Sequence, residues 1–464
     1  MKDLTTGNEF KTILFFAIPM LIGNLFQQFY NMADSIIVGN FLGKTALGAV
    51  GASFPVVFLL LSFVTGIGNG ASVLVSQFFG AKQFHKLRET VDTFYILLAI
   101  VCVAVTAGGV LGAEWVLRLM NTPPEMLPEA KSYMIIFISG IVFLFGFNGF
   151  TSLLNGLGDS KTPLYFLSIA TVMNILLDLL FVPVLKMGVD GAAYATVISE
   201  AFTFFGGLIF LQRKHPILKI NPRRIKFSCE IFAKIVRIGF PTGIQQMLIA
   251  LSVMSISGVV MSFGTDCQAG FTSAGKIDAV AFMPIISFSI ALSSFTGQNI
   301  GAGRWDRVER GYRATLLFSA GFTMLIGAVF VLFGRGLVGI FNSEPQVVYH
   351  GAQMLKTAGP FYWVVTVMLM TNSVTRGAGA TIVPMFISLA TLWLFRVPFA
   401  IWLSSLIGAD GIWWAFPLGW SFGAVAMLVY YLTGLWKKKP FAAIPEFPIP
   451  PYPGSVPENS VDMD

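Results

Sequence analysis

Charged residues are scarce in this sequence. Only 11% of its 464 residues are Asp, Glu, Lys or Arg, whereas 55% are hydrophobic and the mean hydropathy is +0.76. A soluble chain carries about 25% charged residues, so the composition excludes an ordinary soluble globular protein. It is instead typical of a polytopic membrane protein. The 47 glycines and the prolines inside apolar runs predict packed, broken transmembrane helices and argue against a barrel.

Cysteine and histidine are also rare. Three cysteines, far apart and without a CxxC pair, argue against a metal cluster or a disulfide framework. The three histidines fall in loops or at the ends of apolar runs, and no HExxH motif is present, which disfavours an intramembrane metalloprotease. The stretch GNFLGKT (39–45) has one residue too few between its glycines for a phosphate loop. We therefore expect no enzymatic activity, no ATP binding and no cofactor.

Apolar runs separated by charged or Gly/Pro-rich breaks predict twelve membrane spans. They lie at 12–38, 50–79, 93–117, 132–155, 162–186, 190–212, 231–263, 269–299, 312–340, 349–374, 382–407 and 411–436. With the N-terminus inside, 22 of the 30 Lys and Arg residues fall on inside segments, six outside and two within spans. The positive-inside rule therefore places both termini in the cytoplasm of a multi-pass cell-membrane protein. The same distribution explains the pI near 9.2 without a nucleic-acid partner.

The two halves of the chain repeat each other at a nearly constant offset. Landmarks recur in the same order 220–222 residues later: Pro19 and Pro241, Gln77 and Gln298, Gly156 and Gly377, Asp190 and Asp410. Six spans per copy predict an all-α protein with two six-helix lobes related by a pseudo-twofold axis along the membrane normal, and a substrate site between them. The expected segments are an N-terminus (1–11), an N-lobe (12–212), a basic linker (213–230), a C-lobe (231–436) and a disordered proline-rich tail (437–464).

The first predicted span carries an acid and a row of amides. Its polar side chains recur at helical spacings and share one face: Asn24, Gln27, Gln28, Asn31, Asp34 and Ser35. The opposite face is apolar: Leu21, Leu25, Phe29, Met32 and Ile36. A carboxylate near mid-membrane costs roughly 2.5–3.5 kcal/mol on insertion scales. We therefore expect Asp34 to have a function that offsets this cost.

A second intramembrane acid, Asp178, lies in NILLDLLFVP of the fifth span. Asn174 precedes it by one helical turn, and Thr196 of the sixth span could add a hydroxyl. Two carboxylates, an amide and a hydroxyl form an oxygen-rich cage suited to a hard monovalent cation or an exchangeable proton. The alternative is that each acid is merely hydrogen-bonded within the bundle. The second copy holds no acid at the positions matching Asp34 and Asp178, which predicts cation coupling in the N-lobe alone.

Other intramembrane side chains are weaker candidates. Those that could line a substrate cavity are Gln27, Tyr30, Asn31, Gln246, Met247, Lys276 and Asp278. Lys276 and Asp278 are two residues apart, so they do not share a helix face and each is expected to pair elsewhere. Arg396 is expected to bind backbone carbonyls or to extend to the membrane surface. The small residues of GIGNG (66–70) predict a close helix crossing.

Several motifs together resemble the multidrug and toxic compound extrusion (MATE) family, in its DinF-like prokaryotic branch. They are IPMLIGNLFQQFYNMADSIIVG, VSQFFGAK, NGLGDSKTP, NILLDLLFVP, GAAYATV and GQNIGAG, and the resemblance covers residues 10 to about 436. It implies alternating-access antiport, in which H+ or Na+ entry drives the export of amphipathic, often cationic, organic compounds. It also implies that Asp34, Asn174, Asp178 and Thr196 form the cation site, and that they are the metal ligands if the ion is Na+.

The resemblance leaves two points open. The NorM-like branch places acids in the seventh and tenth spans, and this chain has none there, which argues against a C-lobe sodium site. A lipid or lipid-linked oligosaccharide flippase of the same broad superfamily is the alternative function. It predicts a cavity dominated by cationic groups, for which only Lys276 and Arg396 qualify. The expected partners are small amphipathic molecules and the lipid bilayer, with a monomeric chain.

Overall fold

The computed structural model describes residues 2–120, 122–219, 225–438 and 441. Within these ranges every regular element is a helix. The α-helices are α1 Glu9–Gly80, α2 Phe84–Leu119, α3 Leu127–Ser139, α4 Ile141–Gly156, α5 Lys161–Leu179, α6 Gly188–Lys214, α7 Cys229–Met261, α8 Thr265–Gly301, α9 Trp305–Gly339, α10 Pro345–Ala358, α11 Tyr362–Gly377, α12 Ile382–Leu389, α13 Val397–Ile407 and α14 Ala409–Leu432. Of the predicted disordered tail, 437–464, only residues 437, 438 and 441 are described, and the rest lies outside the described residues.

Ten of the described helical segments are long and apolar enough to cross a membrane, and α3 with α4, bent by 47°, makes an eleventh. Helix α1 contributes two of them, Glu9–Gly43 and Gly48–Gly80, because Gly43 has a φ of +84° and breaks the helical geometry. The predicted tenth span is formed by α10 and α11, which a short 3₁₀ turn, Gly359–Phe361, separates. The all-α polytopic architecture expected from the sequence is therefore confirmed.

The two repeats begin in the same way. Asn8 caps α1 by accepting the backbone N–H of Lys11, and Ser228, 220 residues later, caps α7 by accepting the backbone N–H of Ile231. Each helix then contains its proline, Pro19 or Pro241, which removes one internal hydrogen bond and favours a bend. The local sequence therefore gives the first helix of each lobe a side-chain N-cap and an internal proline.

Glycines allow the lobes to cross closely. A Cβ atom added to Gly66 in α1 would lie 2.5 Å from the Cα atom of Gly243 in α7, and one added to Gly70 would lie 3.1 Å from the Cα atom of Gly239. Only glycine permits such an approach, because any larger residue would separate the two backbones. The close crossing predicted for residues 66–70 is confirmed.

Two glutamines related by the repeat tie the lobes together further along the same helices. Gln77 of α1 donates its side-chain N–H to the carbonyl of Gly377, at 2.9 Å. Gln298 of α8 donates to the carbonyl of Gly156, at 3.0 Å. Each bond joins one lobe to the other. Both glutamines are fully buried, so the two bonds form in a site without competing water.

The same glutamines hold the two ends of the described chain. The side-chain oxygen of Gln298 accepts the backbone N–H of Leu4 at 2.9 Å, and that of Gln77 accepts the backbone N–H of Phe441 at 2.8 Å. We call this end of the molecule, marked by Leu4, Gln77, Gln298 and Phe441, the closed side. Arg307 strengthens it by donating hydrogen bonds to the backbone carbonyls of residues 6 and 7.

Candidate functional site

Asp34, Asn174 and Asp178 form a buried polar cluster in the N-lobe. Asp178 and Asn174, one turn apart on α5, are fully buried, and the Asp178 carboxylate lies close enough to Asp34 to interact with its charge. Five buried side-chain atoms lack a hydrogen-bond partner among the described residues: one oxygen of Asp34, both oxygens of Asp178 and both polar atoms of Asn174. Buried polar groups are normally paired, so this cluster is arranged for a ligand, an ion or a proton.

The backbone changes its geometry immediately after Asp178. Helix α5 ends at Leu179 and continues as a π-helical turn, Leu180–Val184, that contains Pro183. Pro183 cannot donate the hydrogen bond that a regular helix requires, which favours the wider turn. Such π turns occur frequently at functional sites. The local sequence therefore sets the end of the helix that carries the two buried residues.

Helix α6 brings further oxygen atoms to the cluster. Thr196 is buried, and its hydroxyl lies beside that of Tyr30 from α1. Glu200, one turn beyond Thr196, is also buried and has an unpaired side-chain oxygen. Tyr30 interacts with the charges of both Glu200 and Asp34, so it links the α6 residues to the two acids. Thr196 is therefore connected to Asp34 through Tyr30, and its role as a cation ligand stays a prediction.

The sequence analysis missed Glu200 and Tyr133. Glu200 was detectable, because it is an acid inside an apolar span, four residues after Thr196. Tyr133 of α3 is buried and interacts with the charges of Asp34 and Asp178. No sequence signal distinguishes Tyr133, because tertiary packing alone brings α3 to the two acids.

The donor set fits a hard monovalent cation. Carboxylate, amide and hydroxyl oxygens are the ligands that such ions prefer, and here they are buried without protein partners. Among the described residues there is no cluster of three or more His, Cys, Asp or Glu side chains arranged to hold a metal ion. The arrangement is thus unlike the nitrogen- and sulfur-rich sites of transition metals.

The weaker candidates separate into two groups. Gln27 and Asn31 lie on the part-exposed polar face of α1, and Gln246 and Met247 are exposed or part-exposed on α7. Lys276 is exposed, and its ammonium group lies 5.5 Å from the centre of the Phe341 ring. Asp278, by contrast, accepts a hydrogen bond from the Tyr362 hydroxyl inside the C-lobe. The prediction that Lys276 and Asp278 pair with different residues is consistent with these contacts.

The structure gives Arg396 a different contact from the one expected. Arg396 does not bind backbone carbonyls through its Nε atom, which is buried and unpaired; its guanidinium lies over the Phe416 ring, 3.8 Å from the ring centre. Asp278, a weaker candidate from the sequence, lies in the C-lobe and interacts with the charge of Arg396. Its place in the eighth span does not correspond to that of either N-lobe acid, and cation coupling in the N-lobe stays a prediction.

Asp34 and Asp278 lie at similar depth on opposite lobes. Asn24 of α1 donates a hydrogen bond to Ser287 of α8, at 3.1 Å. The other cross-lobe hydrogen bonds that the structure describes lie between this contact and the closed side. The two helices run in opposite directions here. At a rise of 1.5 Å per residue, Asp34 and Asp278 lie about 15 and about 14 Å beyond that contact, away from the closed side. We call the space between these parts of α1 and α8 the central cleft.

A small polar pocket lies on the closed side of this cleft, between α1 and α8. Its polar lining is formed by Asn69, Ser72, Ser76, Ser293, Ser294 and Arg376. Arg376 donates hydrogen bonds to the hydroxyls of Ser289 and Ser293, at 3.3 and 3.4 Å. The pocket is therefore basic, in contrast to the acidic cluster in the N-lobe.

The comparisons with known proteins agree with this architecture. The MatE family model matches residues 19–180 and again residues 241–402, one match in each lobe. The repeat predicted from sequence landmarks is thereby confirmed. Two similar proteins of Bacillus subtilis (strain 168) are the "Probable multidrug resistance protein YpnP", 35% identical over 94% of this chain and 97% of that protein, and the "Probable multidrug resistance protein YoeA", 32% identical over 92% and 94%.

A solved structure is also similar over nearly the whole chain. It is described as the "Outward-facing conformation of a multidrug resistance MATE family transporter of the MOP superfamily". The TM-score is 0.88 and the sequence identity is 25%, with 94% of this chain and 99% of that chain covered. The match covers nearly the whole of both chains, so it includes both lobes.

Proposed function

The chain belongs to the MATE family of transporters, and from this premise we propose that it is an ion-coupled antiporter that exports multiple drugs. The observation that carries the proposal is the N-lobe cluster, where the Asp178 carboxylate, the Asn174 amide and one oxygen of Asp34 are buried without hydrogen-bond partners among the described residues. A group of this kind has a purpose in a transporter, because it can bind and release a cation in each cycle.

The coupling site consists of Asp34, Asn174, Asp178 and Thr196, and its ion is H+ or Na+. Loading this site with a cation neutralises negative charge beside the cleft, which weakens the hold on a cationic drug. Release of the ion on the other side restores the charge and favours drug binding again. Coupling requires only that ion and drug respond to the same negative charge.

The orientation of the protein in the membrane is inferred from the asymmetry of the lobe contacts. The closed side carries both ends of the described chain and the paired glutamines. The positive-inside rule assigns that side to the cytoplasm, so the cleft opens outward in this conformation. The proposal places the protein in the cell membrane with both termini inside. One chain suffices as a monomer, because both lobes and the cleft between them belong to it.

The flippase alternative is not favoured. It predicts a cavity dominated by cationic groups, whereas the polar groups of the N-lobe site are acidic: Asp178 interacts with the charge of Asp34, and Glu200 is buried beside Tyr30. Lys276, one of the two cations that supported the alternative, is exposed beside Phe341. The two Bacillus relatives are also named as multidrug resistance proteins. An acidic site and these relatives both favour cationic drugs as substrates.

Efflux from proteoliposomes tests the proposal. Wild type, Asp34→Asn and the control Asp266→Asn, at the first turn of α8, would be reconstituted with ethidium under an imposed Na+ or H+ gradient. We expect gradient-driven efflux in wild type and the control, and its loss in Asp34→Asn; the gradient that suffices identifies the ion. Unchanged efflux in a folded Asp34→Asn variant would return Asp34 to a structural role, and no efflux in wild type would refute the function.

A further inference from the structure

The small polar pocket on the closed side of the cleft is lined by matching positions of the two repeats. The offset is 221 residues, the one that also relates Gln77 to Gln298. Three matched pairs, with one member on α1 and the other on α8, line the pocket: Asn69 and Ile290, Ser72 and Ser293, and Val73 and Ser294. Because matching positions meet there, the pocket lies on the pseudo-twofold axis, and a group bound in it would contact both lobes.

Arg376 of α11 gives this pocket a positive charge that the first repeat lacks, since the matching position there is Asn155. The ion pairs found among the described residues do not include Arg376. Its guanidinium donates to the hydroxyls of Ser289 and Ser293, at 3.3 and 3.4 Å, which are long bonds for a charged donor. An unpaired cation within a membrane span is costly, and a bound anion would offset that cost.

Two hydroxyl groups of the pocket are free to donate hydrogen bonds. Ser76 donates its hydroxyl to the backbone carbonyl of Ser72, at 2.7 Å. The hydroxyls of Ser72 and Ser294, by contrast, donate to none of the described residues, although both side chains are buried and line the pocket. The described residues that line it include no acid. A guanidinium and free hydroxyl donors, without a carboxylate beside them, attract an anion and repel a cation.

The size of the pocket favours a small ion. Its volume, counted to the open mouth, is about 250 Å³, whereas drug sites commonly have about 300–1,000 Å³. Toward the closed side the pocket ends at a direct contact of the lobes, because a Cβ atom added to Gly297 of α8 would lie 2.7 Å from the Cβ atom of Ser76 in α1. The paired glutamines follow at the next residue of each helix. An ion in the pocket would therefore lie immediately beside the cross-lobe contacts of the closed side.

We propose that this pocket binds one small monovalent anion, of the size and charge of chloride, between Arg376 and the hydroxyls of Ser72 and Ser294. These ligands come from both lobes, so the anion joins α1 to the C-lobe beside the paired glutamines. A movement that opens the closed side would separate the ligands and release the anion. The anion therefore stabilises the conformation in which this side is closed, by binding that conformation more tightly. The site differs from the proposed coupling site in its place and in the sign of its ligand, so it can be tested without a drug.

Thermal unfolding of the purified full-length chain in detergent tests the inference. At a constant Na+ concentration, chloride would replace gluconate, an anion too large for the pocket. We expect the melting temperature of wild type to rise by about 2 °C and then to saturate, because a ligand that binds only the folded chain stabilises it by mass action. Arg376→Gln should abolish this rise. Arg396→Gln, which removes another buried arginine, outside the pocket and stacked on Phe416, is the matched control and should keep it.

Ser294→Ala keeps the inference testable if Arg376→Gln does not fold. It removes one donor but keeps the charge, so the chloride concentration that gives half of the rise should increase several-fold. Ser273→Ala changes a serine of the same helix that donates to the carbonyl of Ala269, away from the pocket, and should leave that concentration unchanged. Arg376→Lys should restore part of the response, because it returns the charge without the guanidinium.

Three results would overturn the inference. The first is a wild-type melting temperature that does not depend on chloride. The second is an equal rise in wild type and Arg376→Gln, because chloride would then act as a general salt. The third is the same half-saturating concentration in wild type and Ser294→Ala, because the anion would then bind elsewhere. None of these results bears on the proposed function, which efflux from proteoliposomes tests separately.

Discussion

At the scale of single residues, the unusual feature is the number of buried polar atoms without partners. In the N-lobe these atoms belong to acids and amides from three helices, and Glu200 adds a third carboxylate to the two expected from the sequence. A buried, unpaired carboxylate is costly, so a chain that keeps Asp178 and Glu200 buried in one lobe gains from their charge. Glu200 is therefore expected to tune the site that Asp34 and Asp178 form.

Glu200→Gln keeps the size of the side chain but removes its charge. We expect ion-driven ethidium efflux to fall about 10-fold, corresponding to roughly 1.4 kcal/mol of lost coupling. The measurement is the initial efflux rate from proteoliposomes, with Glu129→Gln, an exposed acid on α3, as the control. Equal rates in the two variants would show that Glu200 has no part in coupling.

At the scale of helices, the closest contacts are made where a glycine faces a neighbouring backbone. A Cβ atom added to Gly80 of α1 would lie only 1.9 Å from the carbonyl oxygen of Gln298 in α8, and one added to Gly301 would lie 2.0 Å from that of Gln77. These two contacts are related by the repeat. They set the crossing of α1 and α8 at the closed side, so the lobe interface requires glycine at both positions.

Gly80→Ala should force α1 and α8 apart at this crossing. Overpacking of this kind costs about 1–3 kcal/mol, so the melting temperature of the purified protein in detergent should fall. Gly108→Ala on α2 is the control, because a Cβ atom there meets nothing within 4 Å and alanine is the better helix former. A melting temperature that does not differ between the two variants would contradict the close crossing.

At the scale of the whole molecule, each end of the described chain is bound to the opposite lobe. The N-terminal segment lies against α8 and α9 of the C-lobe, where Leu4 is fully buried, and the carbonyl of residue 4 accepts a hydrogen bond from Asn299. Phe441, beyond the last span, is bound to Gln77 of the N-lobe. A movement that opens the closed side would have to break both connections, so they stabilise the conformation in which this side is closed.

Gln298→Ala removes two of these connections, the bonds to Leu4 and to Gly156. At about 1 kcal/mol for each hydrogen bond, the loss of both should raise the fraction of molecules in which the closed side is open by roughly 10-fold or more. Ser76→Cys in a Cys229→Ser background reports the opening, because Ser76 is buried in the polar pocket beside Arg376. The measurement is the rate at which this cysteine reacts with a water-soluble maleimide. Gln268→Ala, far from the closed side, is the control, and equal rates would refute this role of Gln298.

Local sequence signals were enough to predict the fold class, the repeat and part of the proposed coupling site. Apolar runs need helices in a membrane, because backbone groups there must be paired internally, and the constant offset of landmarks revealed the two lobes. Asp34, Asn174 and Asp178 could be predicted because a charge or amide inside an apolar span stands out against its neighbours. These signals depend only on residues that are close in the chain, so they can be recognised without knowledge of the packing between helices.

Packing between the helices brings together residues that are distant in the chain. Tyr133 reaches Asp34 through packing of α3, and Asp278 meets Tyr362 although 84 residues separate them. Arg396 stacks on Phe416 where the sequence suggested contact with carbonyls. Aromatic residues are so common in this chain, with 45 phenylalanines, that no pattern singles out the few that surround a charge. Their role depends on which helix faces lie together, and packing between the helices sets that.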